Sequence, residues 1–270
     1  MRSPRSSSRG NARRGPRARR PAGKKQMSVK PGTFYGIGVG PGEPGLMPVI
    51  AWQALQTCHV IYAPRAQSAP VSAVRRCLEG LDVPDNRIRE IEFETNPDRK
   101  ALRSHYAELA RMIAGELCAA KNVAYITIGD PFTYSTYGDV LAALKDLLPG
   151  LTHRTFPGVT SYAAASAALD WPLGAGKERV LIAPCPAEMS KLREDIESHD
   201  IVVLMKIGED LADVLELVRE MGIEETCALA AHVGMREEKL FGNLAEVKAS
   251  SSLGALSTML IRKAPRGKRF

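Results

Sequence analysis

A glycine-rich loop that directly follows an apolar segment constrains the fold of this chain more than any other feature. The sequence reads FYGIGVGPG from Phe34 to Gly42, so that four glycines alternate with Ile37, Val39 and Pro41. Glycine adopts backbone angles that other residues avoid, and it lets a ligand or another segment approach the main chain closely. A strand that runs into such a loop is typical of α/β proteins that bind nucleotide-like ligands.

The chain beyond this loop alternates between strand-like and helix-like segments. Strands are predicted at Tyr35–Val39, Val60–Ala63, Arg87–Phe93, Val123–Ile128, Thr152–Phe156, Val180–Ala183, Ile201–Met205, Cys227–His232, Lys239–Asn243 and Ser257–Ile261. The helices between them include Val71–Glu79 and the amphipathic segment Asp98–Ala120. Such alternation predicts an α/β protein. Because the strands fall into two groups, we expect two α/β domains, at 31–158 and 159–270, with the active site in the cleft between them.

The positive charge of the chain is concentrated at its N-terminus. Residues 1–30 contain eight Arg and three Lys without an acidic residue, whereas the rest carries 26 basic and 30 acidic residues. A segment so poor in apolar side chains is expected to be a disordered tail. It is open to three interpretations: a nucleic-acid contact through phosphates, an organelle transit peptide, or an incidental extension before a start at Met27. The last is favoured because charge runs are usually only solvated.

Cysteine, histidine and hydropathy patterns exclude several classes of protein. The five cysteines, at positions 58, 77, 118, 185 and 227, lie far apart and none has CxxC spacing. This pattern argues against a disulfide framework or a structural zinc site. It favours a location in the reducing cytoplasm. The five histidines lack ligand spacing, so we expect no catalytic metal. No apolar run approaches the roughly 20 residues of a membrane span, so no membrane association is expected.

A dinucleotide-binding site of the Rossmann type is the first alternative for the glycine loop. That site requires the spacing GxGxxG and an acidic residue about 20 positions further on. This chain has GxGxGxG, prolines at 41, 44 and 48, and a second strand that ends in Tyr62-Ala63-Pro64-Arg65 without an acid. The same absence disfavours the common Rossmann-type methyltransferases.

Two further strand ends carry polar residues. Ile128-Gly129-Asp130-Pro131 follows an apolar strand, and Phe156-Pro157-Gly158 leads into Thr160 and Ser161. In open α/β sheets the ligand binds at the carboxyl ends of the strands, so these segments and the glycine loop are expected at one edge of a sheet. Capping of the following helices is the structural alternative for both segments.

With these segments in order, the chain resembles the tetrapyrrole methylase family, the S-adenosylmethionine-dependent enzymes of corrin and sirohaem synthesis. The matching segments extend in order over most of residues 34–262: GIGVGPGEPGL (36–46), VIYAPR (60–65), YITIGDPFTYSTYGDV (125–140), FPGVTSYAAASAALDWPL (156–173) and VVLMKIGEDL (202–211). Within the family, the chain looks most like the branch that methylates C-20 of precorrin-2 or cobalt-factor II in cobalamin biosynthesis.

The resemblance implies a role for individual residues. S-adenosylmethionine is expected to contact Pro41, Ile128, Gly129, Asp130, Thr133, Thr160, Ser161, Met205 and Gly234. The glycine loop, with Gly38 and Gly40, then faces the tetrapyrrole, whose carboxylates Arg65 and Lys206 are expected to bind. Candidates for the base that removes the final proton are Tyr134, Tyr137 and Asp130. The family also implies a homodimer.

The chain departs from the family pattern at two places. Leu46-Met47-Pro48 stands where the family often has Leu-Leu-Thr, and Ala63-Pro64 replaces the acidic residue that uroporphyrinogen methylases carry after the second strand. The second departure favours the C-20 branch. Two other functions remain open: a relative that methylates ribosomal RNA, which only the basic tail supports, and a non-enzymatic module that binds a tetrapyrrole or nucleotide.

Overall fold

The computed structural model describes residues 30–66, 71–93 and 99–264. The predicted disordered tail therefore lies, apart from Lys30, outside the described residues. In the described part, the first sheet contains β1 (Phe34–Gly38), β2 (Val60–Ala66), β3 (Ile88–Phe93), β4 (Val123–Thr127) and β5 (His153–Phe156). These strands are all parallel and have the order β3-β2-β4-β1-β5.

A second, mixed sheet follows in the chain. It contains β6 (Val180–Pro184), β7 (Ile201–Met205), β8 (Ala228–Ala231), β9 (Lys239–Phe241) and β10 (Ser257–Arg262), in the order β6-β7-β10-β8-β9. The helices are α1 (Val49–Gln56), α2 (Ala73–Arg76), α3 (Arg99–Cys118), α4 (Tyr137–Leu147), α5 (Ser161–Ala168), α6 (Met189–Ser198), α7 (Leu211–Glu220) and α8 (Ser251–Gly254). Two sheets with helices confirm the predicted α/β class.

The first sheet is buried on both faces because helices cover each side. Alternate residues of a strand point to opposite faces, and β4 shows the consequence. Its residue Tyr125 packs in the core formed with α3 and α4, whereas the next residue, Ile126, packs in the core formed with α1. Every residue of β4 is buried, which explains why this segment reads as a continuous apolar run.

Several predicted elements differ in extent from the structure. The helix predicted at Val71–Glu79 is reduced to α2, because the residues after Arg76 form turns with i→i+3 hydrogen bonds, from Leu78 N to Arg75 O and from Glu79 N to Arg76 O. Strand β2 continues past Ala63, and this far end pairs with β3 alone. Pro64 has no backbone N–H to donate, and the strand tolerates it because no β4 residue pairs with it on the other side. Met112 of α3 is 50% exposed, although the sequence predicts it on the apolar face of this helix because it stands near helical spacing from other apolar residues. The single-turn helix α8 was not predicted.

Three glycines let the ends of β1, β4 and β5 meet main chain to main chain. A Cβ on Gly38 would lie 2.5 Å from the amide nitrogen of Gly158, and a Cβ on Gly158 would overlap the carbonyl oxygen of Gly129. Larger residues at 38 or 158 would therefore force these strand ends apart. The glycines bring the loops that follow the three strands to one edge of the sheet.

Contacts between the two halves of the chain involve the glycine loop and α5. A Cβ on Gly42 would lie 2.7 Å from the carbonyl carbon of Gly234, so these backbones touch. Helix α5 follows the first sheet in sequence but packs on β10 of the second, with Tyr162 in the core beneath that sheet. The domain boundary between residues 158 and 159 stays a prediction.

Substitution of Gly158 by Ala tests the close approach of the strand ends. Because the added methyl would meet the backbone of Gly129, which cannot rotate away, we expect a loss of about 2 kcal/mol in the free energy of unfolding. Urea denaturation followed by circular dichroism measures it. The control is Gly115→Ala on α3, where nothing lies within 4 Å and helix propensity predicts no loss. Equal stabilities of the two variants would contradict the steric argument.

Candidate active site in the cleft between the sheets

A cavity of about 450 Å³ opens where the carboxyl ends of the first sheet face the second sheet. Its volume lies in the range of small-molecule binding sites. Eight of the nine residues predicted to contact a cofactor line it: Pro41, Ile128, Gly129, Asp130, Thr133, Thr160, Ser161 and Met205. The fold thus brings together residues that are separated by more than a hundred positions in sequence. Their cofactor contacts stay a prediction.

The loop after β4 is held in place by Gly129 and Asp130. Gly129 has φ +66°, and its N–H donates to the carbonyl of Gly40 at 2.8 Å, which ties this loop to the glycine loop. The Asp130 carboxylate accepts from Phe132 N at 2.9 Å, from Thr133 Oγ1 at 3.2 Å and from Gly158 N at 3.3 Å. Both carboxylate oxygens are occupied, so Asp130 organises the loop and is a poor candidate for the base.

The hydroxyls after β5 connect the two sheets. Ser161 Oγ lies 2.9 Å from Thr258 Oγ1 at the start of β10, and both residues line the cavity. Thr160 occupies the N-cap of α5 in an extended conformation, but its side chain makes no capping hydrogen bond. Capping therefore does not explain Thr160, and its side chain belongs to the wall of the cleft.

Strained backbone is concentrated around the cavity. Among the described residues, six non-glycine residues have positive φ, and four of them line the cavity: Tyr134, Lys206, His232 and Leu256. Left-handed backbone costs roughly 1–2 kcal/mol at a residue other than glycine. Such strain persists where the surrounding structure imposes it and tends to lie at functional sites.

The two tyrosines predicted as candidate bases have different environments. Tyr134 lines the cavity, and its hydroxyl donates to the carbonyl of Ile182 on β6 at 3.0 Å, so it spans from the first sheet to the second. Tyr137 is fully buried in the core with α3, where its hydroxyl lies 2.5 Å from Thr155 Oγ1. Burial raises the pKa of Tyr137. Tyr137 does not line the cleft, so its assignment as a candidate base is wrong.

Four other predicted residues do not line the cavity. Gly38 and Gly40 lie behind it, where they contact the loop after β4. Arg65 pairs with Glu90, with 3.5 Å between Nε and Oε2, and also with Glu92, so its charge is balanced within the sheet. Gly234 contacts the glycine loop, and its N–H donates to Glu238 Oε2 at 2.6 Å. Lys206, the other residue predicted to bind substrate, lines the cavity and is exposed.

Part of the cavity wall comes from the second half of the chain and was not predicted from the sequence. The missed residues are Gly208, His232, Val233 and the segment 254–258. His232 ends a predicted strand, and strand ends were the signal used in the first half of the chain. Gly254 gave no comparable signal. A Cβ there would overlap the carbonyl oxygen of Gly208, a contact that only the tertiary structure reveals.

The described part of the chain contains neither a group of side chains suited to a metal ion nor a helix suited to span a membrane. No three His, Cys, Asp or Glu side chains there form a group that could hold a metal ion. Among the helices of the same residues, none has the length and hydropathy to cross a membrane. Burial raises the pKa of Cys58, Cys77 and Cys227 to about 12, so these thiols stay protonated and are not nucleophiles at neutral pH.

A parallel α/β domain joined to a mixed one, with a strained cleft at the strand ends, defines a fold that solved methyltransferases share. One is the cobalt precorrin-4 methyltransferase CbiF, which is 20% identical over 86% of this chain and 96% of that chain, with a TM-score of 0.64. Another is a uroporphyrin-III C-methyltransferase of Thermus thermophilus in complex with S-adenosylhomocysteine, which is 17% identical over 86% and 97% of the chains, with a TM-score of 0.56.

Sequence comparison identifies the family. Residues 33–248 match the model of the tetrapyrrole (corrin/porphyrin) methylases, and the chain belongs to this family of methyltransferases. It is 26% identical to the cobalt-precorrin-2 C(20)-methyltransferase of Salmonella typhimurium over 86% of this chain and 97% of the relative. It is also 26% identical to the precorrin-2 C(20)-methyltransferase of a Sinorhizobium species, over 71% and 80% respectively.

Substitution of Asp130 by Asn tests the organising role of this carboxylate. An amide keeps the shape but turns one acceptor into a donor that meets a backbone N–H, so we expect a loss of about 1–2 kcal/mol in the free energy of unfolding. Chemical denaturation measures it, with Asp146→Asn on the exposed surface of α4 as the control. Unchanged stability of Asp130→Asn would show that the three hydrogen bonds are dispensable.

Proposed function

We propose that this chain transfers the methyl group of S-adenosylmethionine to C-20 of precorrin-2, or of its cobalt-containing form, in cobalamin biosynthesis. The observation that carries the proposal is the joint lining of one cleft by Ile128–Asp130, Thr160, Ser161 and Met205, the residues to which the family resemblance assigns the methyl donor. The names of the Salmonella and Sinorhizobium relatives support the substrate and the position.

The side chains of the cleft fit S-adenosylmethionine. Ile128, Met205 and the buried Val233 offer an apolar surface to an adenine ring. The hydroxyls of Thr160 and Ser161 can bind the ribose. Glycines at 129 and 208 leave the backbone uncovered, so that a ligand can approach it closely.

S-adenosylmethionine, when bound, supplies a methyl group that is already electrophilic because it is attached to a sulfonium. The work left to the chain is to hold the methyl group and the carbon of the macrocycle in line and to exclude water. Such positioning can lower a barrier by roughly 7–11 kcal/mol. Tyr134 contributes to this positioning, because the hydrogen bond from its hydroxyl to the carbonyl of Ile182 closes one side of the cleft.

The macrocycle is expected to bind at the mouth of the cleft beside the loop after β4. Phe132, in that loop, is 63% exposed, which is unusual for a phenylalanine and provides a flat face for stacking. Lys206 is the better candidate for a substrate carboxylate, since the guanidinium of Arg65 is engaged by two glutamates. The homodimer implied by the resemblance and the cytoplasmic location indicated by the cysteines stay predictions.

Incubation with S-adenosylmethionine and precorrin-2 tests the proposal. We expect a product with the mass of one added methyl group and an altered absorbance spectrum, with parallel reactions on metal-free and cobalt-loaded substrate to decide which one is used. Binding of S-adenosylhomocysteine without methylation of either substrate would reject the C-20 assignment. Detectable turnover would exclude a non-enzymatic binding module.

A role in ribosomal RNA methylation has only the basic tail in its favour, because residues 31–270 carry more acidic than basic residues. Deletion of residues 1–26 separates the two enzymatic functions. The ribosomal RNA function is rejected if the deletion leaves tetrapyrrole methylation unchanged and the full chain transfers no methyl group to ribosomal RNA.

Substitution of Tyr134 by Phe distinguishes a positioning role from a catalytic base. Because the hydroxyl donates to a carbonyl, we expect turnover to fall by less than about tenfold, whereas loss of a base costs about 10²–10⁴-fold. Tyr137→Phe is the matched control: it removes a buried hydroxyl bond, so stability falls while turnover per folded molecule is retained. A loss beyond 10²-fold in Tyr134→Phe alone would identify that hydroxyl as the base.

A further inference from the structure

A second cavity, of about 220 Å³, lies beside the glycine loop. Gly42 and Gly234 line it, whereas their neighbours Pro41 and Val233 line the cleft. The two backbones touch at this point, since a Cβ on Gly42 would lie 2.7 Å from the carbonyl carbon of Gly234. The second cavity therefore adjoins the cleft along the same pair of segments, one from each half of the chain.

Two arginines line this second cavity, one from each half of the chain. Arg76 is the last residue of α2, and Arg236 lies in the turn after β8. The side chain of Arg76 is 33% exposed and that of Arg236 is 89% exposed, so a ligand can reach both. A guanidinium keeps its positive charge in proteins and can only donate hydrogen bonds. One carboxylate, that of Glu79, lines the cavity as well, so positive charge is in excess there.

Arg76 is held in place and still has donors to offer. Both carboxylate oxygens of Glu237 accept from Nη2 of Arg76, at 2.6 and 2.5 Å. This hydrogen bond lowers the pKa of Glu237, so the pair persists at neutral pH. No hydrogen bond within the described part of the chain involves Nε or Nη1 of Arg76. Arg65 differs, because it meets two glutamates through Nε and Nη2.

Arg236 is a weakly held cation on a well-held turn. Its Nη2 lies 3.8 Å from Glu79 Oε2, which is too long for a hydrogen bond, and such an exposed ion pair contributes little. The turn itself is anchored, since Met235 packs against the core beneath α1 and the N–H of Gly234 donates to Glu238. The guanidinium of Arg236 can therefore turn towards a ligand without a large loss of other contacts.

We propose that Arg76 and Arg236 bind a carboxylate at the rim of the macrocycle, so that this cavity is a substrate subsite separate from the site of the methyl donor. The inference rests on the proposed function, in which the substrate is a tetrapyrrole with several carboxylates. Guanidinium groups pair with carboxylates through strong, directional hydrogen bonds. Because the rim of the macrocycle extends beyond the carbon that is methylated, a subsite next to the cleft fixes the orientation of the ring.

Four substitutions test the two cations. Arg76→Gln and Arg236→Gln each remove one charge from the cavity. Glu237→Gln removes the counter-charge of Arg76 but keeps an oxygen that accepts from Nη2, so the cation stays in place. Arg193→Gln is the matched control, because Arg193 on α6 pairs with Glu220 at 2.6 Å and lines neither cavity.

Steady-state kinetics of the full chain with precorrin-2, or with its cobalt-containing form, measures the effect. We expect KM for the macrocycle to rise about tenfold in Arg76→Gln, since a charge-assisted hydrogen bond is lost. The rise is expected to be about threefold in the more exposed Arg236→Gln. In both variants kcat is expected to stay within about threefold of the native value, because only substrate binding is affected.

Glu237→Gln separates substrate binding from a purely structural ion pair. If Arg76 binds the substrate, KM in Glu237→Gln equals the native value or falls below it, because the cation remains and a competing carboxylate is gone. If the pair of Arg76 and Glu237 only joins the two halves of the chain, both variants are impaired equally. That second result would overturn the proposal.

Binding measurements without turnover identify whose carboxylate is bound, since S-adenosylhomocysteine also carries one. Calorimetric titration with S-adenosylhomocysteine is expected to give the same Kd for the native chain and for Arg76→Gln. Quenching of tryptophan fluorescence by precorrin-2 is expected to show weaker binding in Arg76→Gln. If the variant instead loses affinity for S-adenosylhomocysteine, Arg76 binds the donor and the proposal fails.

The outcomes also separate this subsite from the function on which it rests. A native chain that neither binds nor methylates the macrocycle would reject the proposed function itself. A native chain that methylates it, with KM unchanged in Arg76→Gln and Arg236→Gln, would reject only the subsite. Thermal unfolding checks that the variants are folded, and a folding defect would lower kcat and the binding of S-adenosylhomocysteine as well as affecting KM.

Discussion

The close approach of backbones at Gly38, Gly129 and Gly158 is the constraint on which the rest of the structure depends. No side chain separates the ends of β1, β4 and β5, so the loops that leave them converge at one edge of the sheet. The N–H of Gly129 then bonds to Gly40 and fixes the glycine loop against the loop after β4. The first wall of the cleft follows from these contacts, because its residues all lie directly after the three strands.

The second wall depends on how the two halves of the chain are joined. Gly42 and Gly234 touch through their backbones, α5 packs on β10, and Ser161 bonds to Thr258. Tyr134 adds a hydroxyl bond to β6 on another side of the cavity. Main-chain contacts and hydrogen bonds therefore join the two walls of the cleft and hold the facing loops in a defined position.

Backbone strain has a consistent distribution in this molecule. Tyr134, Lys206, His232 and Leu256 adopt left-handed conformations in the cleft wall, whereas the long helices and the buried strands contain none of the described positive-φ residues. A wall of this kind holds side chains in directions that regular strands and helices do not provide. Its polar groups are largely satisfied by one another, and His232 Nδ1 is the buried exception.

The sequence by itself determined the α/β class, most strand positions and the first wall of the cleft, since alternating patterns and strand-end motifs are local signals. It located Ile128–Asp130, Thr160 and Ser161 because parallel strands place their carboxyl ends together. Only the tertiary structure decided that Tyr137 is a core residue and that Arg65 is paired within the sheet. It also brought His232 and Gly254 to the site, because contacts between distant segments depend on the packing of the two sheets and leave no local pattern.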